Sequence, residues 1–254
     1  MSLRYHEIAE ANHRILNPFS HAKLMQLGEI CRLQPGMTQL DLACGKGEML
    51  CLWANAWGIR GTGVDISPVF LAAARRRAAE LEVTDRVTLV EADAGPYLAQ
   101  SDHPRADAET FDIVSCIGAT WIGNGLTGSL NLMRPALKPG GLLLVGEPYW
   151  VDPPPAGAPE IVGFGKYDYA SLLGTFERFE AAGCELVEMV LSDLDSWDRY
   201  EAAQWWTVEE WLRDNPHSTD ATTIRGLRDE SRRNYLTLLR RYFGWGVFVL
   251  RARD

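Results

Sequence analysis

Residues 41–47 read Asp-Leu-Ala-Cys-Gly-Lys-Gly, an acid followed by two closely spaced glycines where an apolar run gives way to an amphipathic one. Glycines at such a junction let the backbone turn sharply and approach a ligand, and the helix that follows offers N–H groups with no partner of their own. Asp65 stands twenty residues after Gly45, at the end of a second apolar run. A carboxylate in that place can accept hydrogen bonds from both hydroxyls of an adenosine ribose. A nicotinamide dinucleotide site would want a third glycine at position 50, which is Leu50 here, and a pyrophosphate is poorly matched to Asp41 before the turn. The pattern suits a nucleoside whose tail carries a cationic amino-acid end and a sulfonium.

Aromatic residues are unevenly placed. Seven of nine tryptophans (121, 150, 197, 205, 206, 211 and 245) follow residue 120, which suggests an apolar lid over a second ligand, with half of these rings reserved for the core. Trp121, Tyr149, Trp150, Trp197 and Tyr200 are the expected pocket members. Trp197, Tyr200 and Gln204 share one helical face, mixing rings with a polar end in a way that suits a planar or cationic ligand.

The elements that must position these groups alternate in type. Ser20 caps a helix with Leu24, Leu27 and Cys31 on one stripe, and Gln39 to Cys44 reads as a buried strand. A helix from Gly47 to Trp57, closed by Gly58, leads to a strand over Gly61 to Ile66. Ser67 then caps a helix with Pro68 at its first position. Arg86 to Glu91 and Phe111 to Gly118 are further strands, with a polar surface loop expected from Gln100 to Thr110. Leu126 to Leu137 is expected to be helical up to Pro139-Gly140-Gly141, and Leu142 to Val145 extended. Pro148 to Tyr169 reads as irregular, Ser171 as a cap, and Cys184 to Leu191 as a sixth strand. The residues between 191 and 245 read as helices. Thr207 with Glu210 is expected to start one of them and Asn215-Pro216 to end it, and a last long helix carries Ile224 to Tyr242 before a seventh strand, Trp245 to Leu250. Repeated β-α-β units specify an α/β fold, a mostly parallel sheet with helices on both faces and a helical lid.

Composition narrows the partners. A net charge of −9 lacks the basic footprint of a protein gripping a phosphate backbone; the arginines at 75–77 and between 225 and 241 fall on helical spacing as solvated faces. Neither nucleic acid nor membrane is expected as a partner. The opening MSLRYHEIAEANHR has no apolar signal segment, so a cytoplasmic location is expected. Five cysteines form neither a C-x-x-C pair nor a cluster with histidine at zinc spacing, so no metal is expected and Cys44 reads as a packing residue. Single apolar stripes leave the oligomeric state open.

Taken in order and spacing, LDLACGKGE, GVDIS, VEADAG, FDIVSCIGATW and LKPGGLLLVGEP resemble the class I S-adenosylmethionine-dependent methyltransferases over about residues 36–147. The resemblance implies a Rossmann-like seven-stranded sheet that binds S-adenosylmethionine. It implies Asp41, Gly45 and Gly47 around the methionine part, Asp65 and Ile66 at the ribose, Asp93 and Ala94 at the adenine, and Cys116 and Ile117 as pocket wall. Ala43 departs from it, since the family often has glycine there. HRILNPFS, GATWIGNG, GEPYW, WDRYEAA and YFGWGVF are similar to a bacterial subgroup of small methyltransferases and are where acceptor choice is expected to reside. A single domain over 1–254 follows, with N-terminal lid helices in 1–34, the cofactor core in 36–147 and acceptor-cap insertions at 148–170 and 193–244. Methyl transfer needs a base only if the acceptor is protonated, and Glu147, Tyr149, His6 and His13 are the candidates. Gly-Glu-Pro-Tyr-Trp is not the Asn/Asp-Pro-Pro-Tyr/Phe motif of amino methylation on nucleic-acid bases, which leaves a small-molecule acceptor. Two alternatives stand beside this reading: a protein that binds S-adenosylmethionine without transfer, and an arsenic or thiol methyltransferase, which would need cysteines such as Cys44 and Cys116 to converge on the acceptor.

Overall fold

Alternating burial sets the first strand. In β1 (Thr38–Leu42), Leu40 and Leu42 enter one hydrophobic cluster while Gln39 and Asp41 turn to the opposite face. A computed structural model describes residues 2–99, 110–158 and 168–253 of the chain. Six more strands complete the sheet: β2 (Arg60–Asp65), β3 (Val87–Glu91), β4 (Phe111–Ile117), β5 (Leu137–Trp150), β6 (Cys184–Leu191) and β7 (Phe243–Ala252). Their order is β3-β2-β1-β4-β5-β7-β6, with β7 antiparallel to both of its neighbours and the other pairs parallel. The order reverses between β1 and β4, and a crevice opens beyond the strand ends at such a point.

Helices cover both faces. On one side α2 (His21–Ile30), α3 (Glu48–Trp57) and α4 (Pro68–Glu80) pack with Ile113, Leu144, Trp245, Val247 and Val249. On the other, α5 (Ala94–Ala99), α6 (Leu126–Met133) and α7 (Leu172–Ala181) pack on Leu42, Cys116, Val145 and Phe248. The caps expected at Ser20, Ser67 and Ser171 are present, each side chain accepting a backbone N–H of the first turn. Three further helices, α1 (Leu3–Ala9), α8 (Leu194–Asp214) and α9 (Ala221–Asn234), share a small core of their own in which Tyr5 and Ile8 meet Val208, Leu212 and Ile224. None of the described helices is long and apolar enough to cross a membrane.

Several boundaries differ from expectation for identifiable reasons. α6 stops at Met133 and a single 3-10 turn over Arg134–Ala136 follows, because Pro135 has no N–H to continue the helix; Leu137 already belongs to β5. β5 runs on to Trp150, through residues expected to be irregular, because β7 pairs with it as far as Trp150↔Phe243. No helix starts at Thr207. Its hydroxyl donates to the Ala203 carbonyl inside one unbroken α8, and the cap is Asp193, which accepts the Ser196 N–H at 2.8 Å. The last helix is interrupted after α9 by a π turn over Tyr235–Leu239. Residues 100–109 of the expected loop and 159–167 of the expected irregular stretch lie outside the described residues.

Candidate active site

The turn between β1 and α3 is built from left-handed residues: Ala43 (φ 54°), Gly45 (φ 55°) and Gly47 (φ 63°). Their alternation with ordinary residues makes a concave run of backbone N–H groups, which together with the start of α3 favours electron-rich ligand atoms. Ala43 therefore keeps the backbone angle that glycine would adopt freely, at a steric cost. Cys44 places its side chain over Gly63, where a Cβ would lie 2.8 Å from Sγ, and so acts in packing.

Two carboxylates flank this turn at the ends of β1 and β2. Asp65 accepts the Gly45 N–H and the Ser67 N–H, both at 2.8 Å, and so ties the turn to the start of α4. Burial raises its carboxyl above the ordinary range against these hydrogen bonds. Asp41 accepts the Ser115 hydroxyl at 2.6 Å, and Ser115 in turn accepts the Gln39 amide at 3.0 Å, a polar ladder between β1 and β4 at the point where strand order reverses. Burial pushes Asp41 up to about 7, opposed by the Ser115 hydrogen bond and aided by the charge of Asp65. Ile66 follows with its apolar side chain 56% exposed beside the crevice. On the next strand end, Asp93 is exposed and accepts the Gly95 N–H at 3.1 Å, and Ala94 is buried. Cys116 is buried and Ile117 half-buried at the end of β4.

The N-terminal segment straps over this turn. Lys46 Nζ donates to the carbonyls of Glu10, Ala11 and His13 at 2.6–2.9 Å. Leu16 packs so closely on Gly45 that a Cβ there would lie 2.7 Å from its Cδ1. Glu7 accepts the Ser67 hydroxyl at 2.7 Å, and His6 stacks edge-on against Phe70 at 5.3 Å, its imidazole lowered by burial.

Beyond the strap lies a group of rings and acids on α8. Tyr200 donates to Glu10 Oε1 at 2.5 Å, makes a second contact with the Leu16 carbonyl at 3.1 Å, and has its ring 5.4 Å from that of His13. Trp197 lies 6.3 Å from Tyr200 and 6.2 Å from Tyr235, and Trp205 lies 5.9 Å from Tyr235. Of the five rings expected in one pocket, the structure thus brings together Trp197 and Tyr200. Trp121 is 70% exposed in the turn after β4, Tyr149 packs over Gly244, and Trp150 lies against Phe243.

His13 belongs with the α8 group. Glu147 does not: it shares the sheet face of Val145 and Tyr149, toward α5–α7, and accepts the Thr120 hydroxyl at 2.8 Å. Burial pushes it up to about 7 against that hydrogen bond. Sequence reasoning missed Glu10, buried completely, and Glu201, which burial and the charge of Glu10 push up to about 8. Glu201 was detectable, since 197, 201, 204, 205 and 208 follow the helical repeat of one face. Nothing in the sequence marks Glu10 as buried.

The chain is similar to known proteins along its length. The family described as "Methyltransferase domain" matches residues 40–141. The chain is similar, at 43% identity and a TM-score of 0.92, to a SAM-dependent methyltransferase from Geobacter sulfurreducens solved with S-adenosyl-L-homocysteine, covering 99% of each chain. A SAM-dependent methyltransferase from Thiobacillus denitrificans, also in complex with S-adenosyl-L-homocysteine, is 41% identical with a TM-score of 0.91, covering 100% of this chain and 99% of that one. The uncharacterized Escherichia coli protein YjhP is 44% identical over 98% of both chains.

Proposed function

Because this chain belongs to the S-adenosylmethionine-dependent methyltransferases, we propose that it holds its cofactor across the ends of β1, β2 and β4. Its acceptor is a small molecule seated between the N-terminal segment and α8. The observation that carries this reading is the turn itself, where three left-handed residues and the Asp65 bridge present N–H groups and two carboxylates at the reversal of strand order. Such a turn fits the cofactor. Asp65 has lone pairs left for ribose hydroxyls after taking two N–H groups, with Ile66 covering the sugar. Asp41 faces the ammonium of the methionine end, Gly45 and Gly47 admit its backbone-like atoms, and Asp93 with Ala94 receives the adenine beside Cys116 and Ile117. Bound S-adenosylmethionine supplies a methyl group on a sulfonium, a leaving group that needs no help from the protein.

The task left to the chain is alignment and exclusion of water, worth roughly 7–11 kcal/mol in favourable cases. The strap over 10–17, with α8 above it, serves that purpose, and residues 1–34 with 193–244 act as the cap. Incubating the protein and labelled S-adenosylmethionine with a cell extract should move label onto a discrete metabolite; label appearing on no small molecule would remove the acceptor reading and leave a binder. In parallel, Asp65→Ala should weaken cofactor binding about a hundredfold, the equivalent of one to two charge-assisted hydrogen bonds. Calorimetric titration with S-adenosylhomocysteine checks it, and unchanged affinity would remove the ribose assignment.

A further inference from the structure

Where the N-terminal segment meets α8, six residues keep polar atoms buried without a hydrogen-bond partner: Tyr5 OH, Glu10 Oε2, both ring nitrogens of His13, Asn17 Oδ1, and the indole N–H of Trp197 and of Trp205. Native interiors leave few such atoms, and each is costly unless something outside the chain meets it. Glu10 Oε2 lies 3.1 Å from His13 Nδ1 but without hydrogen-bond alignment.

Tyr5 and Glu10 share one electrostatic neighbourhood with Tyr200, Glu201 and Tyr235. The tyrosyl groups of Tyr5 and Tyr200 both sense Glu10 and Glu201, and Tyr235 senses Glu201. The charge of Glu10 thus acts on Glu201, and the ring of Trp197 lies 6.3 Å from that of Tyr200 and 6.2 Å from that of Tyr235 in the same closely packed cluster. Nearby cations are spent elsewhere. Lys46 is taken by three backbone carbonyls, and Arg228 by Glu209 and Asp229. The cluster adjoins the turn after β1 through Leu16, whose carbonyl receives Tyr200 and whose side chain covers Gly45.

We infer that this cluster opens to take a small amine bearing a hydroxyl or carbonyl oxygen, its ammonium between Glu10 and Glu201 against the rings, its oxygen under the N–H and O–H donors of Trp197, Trp205 and Tyr5. The inference rests on the methyl-transfer reading and names the acceptor class for that site. Carboxylates and aromatic faces both favour a cation, and unspent donors favour an oxygen. Glu201, pushed up to about 8, is suited to receive a proton from the ammonium, which frees the nitrogen lone pair.

Matched probes test it. With the full chain saturated by S-adenosylhomocysteine, N-methylethanolamine and its neutral isostere 2-methoxyethanol, and phenylethanolamine and 1-phenyl-1,2-ethanediol, are titrated while tryptophan fluorescence and heat are followed. The amine of at least one pair should bind about tenfold or more tighter than its neutral partner, and Glu201→Gln should abolish that preference. Tyr5→Phe should weaken amine binding while raising Tm, because it deletes a buried hydroxyl without a partner; a structural role alone would not split the two readouts. Equal binding within both pairs, no binding by either amine, or a preference that survives Glu201→Gln overturns the amine assignment. S-adenosylhomocysteine is titrated first in the same cell, so failure of the cofactor reading shows separately as its loss.

Discussion

Asp41 is the group whose protonation the cofactor should change. Burial pushes its carboxyl up to about 7 from an ordinary 3.8. In the proposed pose the ammonium of the methionine end lies against it, and an opposite charge at close range returns a carboxyl to its ionised form. Binding then expels a proton wherever the free protein holds one, so affinity falls as the pH drops below about 7. With the bound carboxyl titrating below pH 5, linkage makes the affinity about fiftyfold weaker at pH 5 than at pH 7, and about tenfold weaker should the free value be one unit lower. Asp65, raised in the same direction, adds to the slope, so Asp41→Asn should flatten it without erasing it. The assay is calorimetric titration with S-adenosylhomocysteine at pH 5, 6 and 7 in buffers of differing ionisation enthalpy, which counts the protons released. This group does not endanger the fold at the acid end: a carboxyl raised above its unfolded value favours the folded state below 3.8, a contribution lost as the pH climbs through about 7. A flat affinity from pH 5 to 7, or an Asn variant with the wild-type slope, would refute the placement of the ammonium.

Ala43→Gly should stabilise the protein. A left-handed non-glycine residue costs about 1–2 kcal/mol, and glycine gives back part of that in chain entropy, leaving a net gain of about 0.5–1 kcal/mol and a Tm rise of roughly 1–4 °C by calorimetry; an unchanged or lower Tm would contradict the steric account. Lys46→Met removes the three carbonyl contacts of the strap, each worth about 1.5–3 kcal/mol when the donor is charged. Limited proteolysis should then cut residues 10–17 more than about tenfold faster, and S-adenosylmethionine should slow the same cut in the unaltered chain. Equal rates in all samples would count against the strap.

The elements from β1 to α4 were largely legible because they are written locally. Ser67 with Pro68, Gly58 after Trp57 and the apolar run ending at Asp65 each declare an element boundary within a few residues, and the structure keeps them. Where tertiary pairing decides, the sequence was mute. Trp150 is extended because β7 lies beside it, and Thr207 bonds backward because α8 is already continuous there. Pro135 was a local signal, overlooked beside the louder Pro139-Gly140-Gly141. The group of residues against α8 hid for a different reason. Glu10 meets Tyr200 across a sequence separation of 190 residues, and a burial created by such a contact leaves no periodic trace at position 10.

Leu16 faces two ways, its side chain resting on Gly45 and its carbonyl turned to the Tyr200 hydroxyl. In the proposed arrangement one residue is thereby a party to both binding events, and a shift of Leu16 on either side is felt on the other. Thermodynamic reciprocity then fixes the arithmetic of binding: whatever factor the nucleoside confers on the affinity of its co-substrate, the co-substrate confers in return.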